Sequence, residues 1–236
     1  MNESIWLLSG TAASIGFIHT LIGPDHYLPF IMMSQAQKWS QRKTMVISFL
    51  CGIGHVLSSV LLGFAGVLFG VALQKLEFIE GFRGELAAWV LIVFGIIYGI
   101  WGLKVAMKGR THVHEHEHDD GTVHQHEHTH LFANKSHKRT HHKTMTTWAL
   151  FTIFVLGPCE PLIPILMYPA AQHSALGVLL VATIFSVVTI ATMMGMVWMI
   201  SSGVARIPLN TMERYTHAIA GGIIASSGLA IQVFGL

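Results

Sequence analysis

His19-Thr20-Leu21-Ile22-Gly23-Pro24-Asp25-His26-Tyr27-Leu28-Pro29 sets one acid and two histidines around a Gly-Pro break inside an otherwise apolar run. A second stretch, Leu156-Gly157-Pro158-Cys159-Glu160-Pro161-Leu162-Ile163-Pro164, repeats the Gly-Pro, follows it with Cys and Glu, and returns to apolar sequence through further prolines. Proline removes a backbone donor and crowds the preceding turn, so each stretch predicts an interrupted helix. A bilayer tolerates such a break only where the freed backbone groups meet other protein or line a polar cavity. Both breaks are therefore expected to face inward. By hydropathy, Asp25 and Glu160 stand as the only carboxylates in apolar segments, with the other acids at the amino terminus or in connecting loops.

The composition agrees with a membrane setting. Of 236 residues, 52% are hydrophobic and 11% charged, and the mean hydropathy is +0.57. A helix needs roughly 20 apolar residues to cross the hydrocarbon core. Six runs qualify, at about 5–33, 44–73, 86–107, 146–171, 175–201 and 217–234. The expected partner is thus the lipid bilayer, in a multi-pass integral membrane protein of the bacterial inner-membrane kind. A homo-oligomer is compatible with this reading. No basic patch interleaved with aromatics points to nucleic acid. The start carries Glu3 and no basic leader, so the first apolar segment is expected to remain in the protein. Cys51 and Cys159 both lie in apolar runs, so no disulfide framework is implied. Neither a catalytic triad nor a phosphate loop is present, and the chain is not expected to be an enzyme.

Charge placement orients the spans. Of 14 Lys and Arg residues, 12 follow the first, third and fifth spans, which the positive-inside rule assigns to the cytoplasm. Both termini are then outside, and the histidine-rich segment is cytoplasmic. The expected organisation is a first three-helix repeat over 1–107, the histidine-rich loop over 108–143 and a second three-helix repeat over 144–236. Because each unit has three spans, the two run in opposite senses. The predicted fold class is therefore all-α: six transmembrane helices in two inverted repeats, with helices one and four broken. In carriers built this way, paired broken helices meet near the bilayer midplane and form the substrate site.

The residues at the breaks suggest the substrate. A carboxylate at the bilayer centre costs about 2.5 to 3.5 kcal/mol on insertion scales, so it is presumed functional unless a partner explains it. No Lys or Arg is expected inside a span to neutralise Asp25 or Glu160, which leaves a cation as the counter-charge. His19 and His26 lie near two helical turns apart, and His55 can join them from the second span. Imidazole and carboxylate, with a thiol from Cys159, form a borderline donor set. It suits nickel, cobalt, zinc or copper better than magnesium or calcium. The candidate metal ligands are His19, Asp25, His26, His55, Cys159 and Glu160. For His55 the alternative is a core histidine bonded to Ser58 or Ser59 of its own helix. The alternating histidines from His112 to His130 are a separate pointer to transition metal in a segment too polar to bury a core.

With these residues in view, the chain resembles the nickel/cobalt transporter families, above all the compact urease-accessory and nickel/cobalt-exporter type. The His19 to His26 stretch is similar to their His-x4-Asp-His signature, although five residues separate His19 from Asp25 here. Gly52-Ile53-Gly54-His55 resembles the Leu-Gly-His motif of their next helix, without the Ser or Thr that follows it. The Gly-Pro-Cys-x-Pro-Leu-Ile-Pro stretch also resembles the wider lysine-exporter superfamily, which includes the cytochrome c biogenesis thiol-disulfide carriers. The first resemblance implies secondary transport of divalent metal, nickel or cobalt ahead of zinc or copper, with protons exchanged as the ligands bind and release it. The second implies a transmembrane thiol-disulfide electron carrier.

Overall fold

A computed structural model describes residues 3–108, 112–117, 123–128, 139–172, 174–204 and 213–234. The long elements are helices: α1 (Glu3–Ile22), α2 (Leu28–Ala36), α3 (Gln41–Leu68), α4 (Leu73–Lys108), α5 (Arg139–Leu156), α6 (Leu162–Ala171), α7 (Ala175–Val204) and α8 (Thr216–Phe234). Four of them, α3, α4, α7 and α8, are long and apolar enough to cross a membrane. A fifth crossing is available if α1 and α2, bent by 82° at their break, count as one span. The pair α5 and α6 is apolar but short on each side of its break. The chain is thus an all-helical, multi-pass membrane protein in its core. Large apolar side chains such as Phe49, Leu61, Trp89, Ile97 and Trp198 are exposed around its flanks, as expected where lipid replaces water.

One departure from all-α lies in the histidine-rich segment. Strands β1 (His112–Glu117) and β2 (Val123–His128) pair antiparallel. Their register sets His112 opposite His128, His114 opposite His126 and His116 opposite His124.

The third span differs most from expectation. It starts at Leu73 instead of near residue 86, so the charged stretch read as a loop is the opening of a 36-residue helix. The turn before it is correspondingly tight. Helix α3 stops at Leu68, Gly70 takes φ +63°, and Val71 N–H donates back to Gly66 O at 2.9 Å. This left-handed cap favours glycine. In α3, Gly52, Gly54, Gly63 and Gly66 face side chains of neighbouring helices. Backbone meets backbone instead between α4 and α8, where Gly95 lies against Ala225, Gly221 against Gly99, and Gly102 against Ala218. Small residues on both helices permit that approach.

Two apolar clusters fill the interior. One gathers Phe30, Met33, Cys51, Leu91, Phe154 and Met193. The other gathers Val56, Cys159, Leu162, Leu166 and Phe185. One end of the bundle is tied by side chains: Gln37 donates to Tyr98 Oη at 3.0 Å, Tyr98 Oη lies 2.7 Å from His217 Nδ1, and Gln41 pairs with Ser201 at 2.9 Å.

Candidate metal centre at the two breaks

The first break puts its polar residues on a single turn. Helix α1 ends with His19 in its last turn, and Gly23 N–H donates to His19 O at 2.9 Å. Pro24, Asp25 and His26 then form one turn of 3-10 helix, in which His26 N–H donates to Gly23 O at 3.2 Å. That turn folds the His26 ring back under Gly23. Its Nδ1 lies 3.2 Å from both Gly23 O and Asp25 Oδ1. A backbone carbonyl can only accept, so Nδ1 carries the hydrogen, and in the neutral ring Nε2 carries the lone pair.

His55 reaches the same result from α3. Its Nδ1 lies 3.2 Å from Phe154 O, across the bundle, which again leaves Nε2 as the acceptor. His55 is a buried, hydrogen-bonded histidine, but its partners are not the serines of its own helix: Ser58 Oγ donates to the His55 backbone carbonyl, and Ser59 Oγ accepts from Cys159 N–H. Nε2 of His55 lies 3.1 Å from Cys159 Sγ.

These histidines converge. Ligand atoms of His19, His26 and His55 all lie within 4.8 Å of one another. The rings stand edge to face, with centroids 4.8 Å apart for His19 and His26 and 5.1 Å for His26 and His55. Nε2 of His19 and Nε2 of His26 are buried with no hydrogen-bond partner. Leaving a buried polar group unmet costs about 1 to 3 kcal/mol, so these two nitrogens, on residues that line one cavity, call for a partner there, a water or a ligand. A transition-metal ion fits that requirement: it accepts neutral imidazole nitrogens and thiolate together. His26 and His55 also have the outer hydrogen bonds by which metal-binding histidines are held in orientation.

The sequence-derived candidates therefore divide. His19, His26 and His55 come together, and Cys159, fully buried, meets that group at His55. Asp25, 25% exposed, is used against His26 and acts on the ring's far side. Glu160 is exposed, at the rim of a cavity of about 270 Å³ whose lining includes His19, Asp25, His26, His55 and Glu85.

Two expectations about charge are corrected. Glu80 lies within α4 at 1% exposure, so Asp25 and Glu160 are not the only acids of the apolar segments. Arg83, also in α4 and 17% exposed, pairs with Glu80 at 2.7 Å and is a cation inside a span. Both were missed because hydropathy averaging assigns a charged stretch to a loop. Their spacing of three residues, which suits an ion pair along a helix, was the available signal.

Cys51 is buried in the first apolar cluster, apart from the cluster that holds Cys159. Both cysteines are free thiols.

Residues 28–230 match the family described as the cytochrome c biogenesis protein transmembrane region. The chain belongs to that family. The match includes His55 and the Gly157-Pro158-Cys159-Glu160 break and begins just after His26, so the family relation spans one break and not the other. No curated protein and no solved structure matches the chain.

Proposed function

We propose that the chain is a secondary carrier for a divalent transition-metal ion, nickel or cobalt first, with zinc or copper admitted by the same donors. The observation that carries this reading is the convergence of one ring nitrogen each from His19, His26 and His55, with Cys159 Sγ of the second break against His55 Nε2. In this reading the imidazoles and the thiol take the ion as cargo, Asp25 holds His26 in its metal-binding tautomer, and Glu160 adds negative charge at the cavity rim. Coordination requires deprotonated ligands, so loading releases protons and the movement is proton-coupled. The full arrangement we infer is two inverted three-helix repeats over 1–107 and 144–236, with the 108–143 segment between them. Both termini lie outside and the histidine-rich segment lies in the cytoplasm.

The test is cobalt uptake into proteoliposomes. Wild-type protein is expected to accumulate the ion, while Asp25→Ala and His26→Ala lose most of the rate. Equal uptake by all three would count decisively against metal transport.

A second reading is a thiol-disulfide electron carrier of the cytochrome c biogenesis type. Family membership supports it more directly than it supports metal transport, and Cys159 at the break is the residue it would use. Such a carrier passes reducing equivalents by exchange between paired thiols. Here the position matching Cys159 in the first break is Asp25, and Cys51 packs in a different cluster. Capture of a mixed disulfide between Cys159 and a thioredoxin would favour this reading over the metal one.

A further inference from the structure

Glu80 and Arg83 have no part in ligating a metal, yet they sit against the second break. The Arg83 guanidinium donates to Glu80 Oε1 at 2.7 Å, Ser58 Oγ at 2.7 Å, Val155 O at 3.0 Å and Gly157 O at 3.4 Å. It therefore ties α4 to α3 and to the end of α5. The pattern follows from what Gly157-Pro158 takes away. In a continuing helix, the amide of residue 158 would serve Phe154 O, and the amide of 159 would serve Val155 O. Pro158 has no N–H, and Cys159 N–H is directed elsewhere, to Ser59 Oγ at 3.0 Å. Side chains make up the loss: His55 Nδ1 joins the Gly157 N–H at Phe154 O, while Arg83 meets Val155 O and Gly157 O.

We propose that Arg83 is a positioning residue for the metal centre: its guanidinium replaces the missing helix amides at the second break and thereby holds Cys159 Sγ beside His55 Nε2. The simpler role, neutralising Glu80, would need one contact to one acid. Arg83 instead spreads over four acceptors, only one of which is charged, and three of them are met by the same nitrogen. The planar fork meets Glu80 with one nitrogen and the three neutral acceptors with the other, two of them sharing a hydrogen, whereas a lysine offers a single nitrogen for all four. The inference rests on the metal-carrier reading, since it assigns Arg83 its role through Cys159 and His55.

The experiment uses the full chain with Cys51→Ala, which leaves Cys159 as the sole thiol. Cobalt(II) is the probe, and the readout is the sulfur-to-cobalt charge-transfer band, which the cysteine-free histidine-rich segment cannot produce. Two variants keep charge balanced: Arg83→Lys, and the double change Glu80→Gln with Arg83→Met. Both are expected to keep the wild-type helical spectrum and weaken cobalt affinity by about 10- to 100-fold, the range for outer-shell changes. The sulfur band should fall further than the imidazole-ligand bands. A full band at wild-type affinity in either variant overturns the proposal and leaves the carrier reading intact. So does failure of both to fold, because Arg83 would then specify the fold instead of positioning a site. Parental protein with no sulfur band at all overturns the metal centre and this proposal together.

Discussion

Gly23 measures how closely the first break is fitted. Its φ of −74° is open to any residue, so the constraint there is space and not backbone conformation. A methyl group on Gly23 would lie 2.5 Å from His26 Nδ1 and 2.9 Å from Asp25 Oδ1. The ring and the carboxylate would both have to move, and with them the tautomer-setting bond to Gly23 O. Gly23→Ala should therefore fold normally while losing about tenfold or more in cobalt affinity, as measured by competition with a chelating dye. Wild-type affinity in that variant would mean that the His26 ring is not held as described. Among single residues, His19, His26 and His55 were legible as a group because each is an uncompensated imidazole in an apolar run. The roles of Asp25 and Arg83 were not. Whether an acid ligates a metal or holds a histidine depends on which atom it faces, and hydropathy carries no such information.

The α4–α8 pair sets the frame on which the cavity opens. An added Cβ at Gly221 would collide with the backbone of Gly99 and Gly95, which belongs to the facing helix and cannot rotate away. Gly222, the next residue, has open space around it. Gly221→Leu is expected to destabilise the protein by about 1 to 3 kcal/mol, the usual cost of overpacking, with Gly222→Ala near neutral. Thermal unfolding in detergent compares the two, and equal melting temperatures would refute the close packing. The long reach of α4 was hidden for a related reason. Its first turns carry Lys75, Glu77, Glu80, Arg83 and Glu85, which resemble a loop on a hydropathy scale. The helix continues through them because Leu76 and Glu80 are buried against the bundle and the Glu80–Arg83 pair is met inside it.

For the molecule as a whole, the site in the bundle and the histidine-rich segment are expected to act separately. The cavity draws its residues from α1, the first break, α3, α4, α5, the second break and α8, with none from the described residues of 108–143 among its lining. Deleting residues 111 to 142 should leave the cobalt–sulfur band in place and slow uptake without abolishing it. A sensor or store working through that segment predicts the opposite, complete loss of function with the deletion. Metal analysis of both forms gives the difference as the number of ions held by the segment.

Membrane insertion, the interrupted first and fourth apolar runs and the imidazole, carboxylate and thiol groups gathered at their breaks were all determined by the sequence alone. Local chemistry dictates each: apolar length, a proline without an amide, and polar atoms that lipid cannot satisfy. The tertiary structure decided which of those atoms share a space. His55 meets Phe154 O from 99 positions away, and Cys159 Sγ faces His55 Nε2 from 104. It also revealed that the second break is sealed by side chains from other helices, His55 and Arg83 among them. Such contacts depend on how helices are rotated against one another, and that rotation is set by packing across the bundle, which no local pattern of residues encodes.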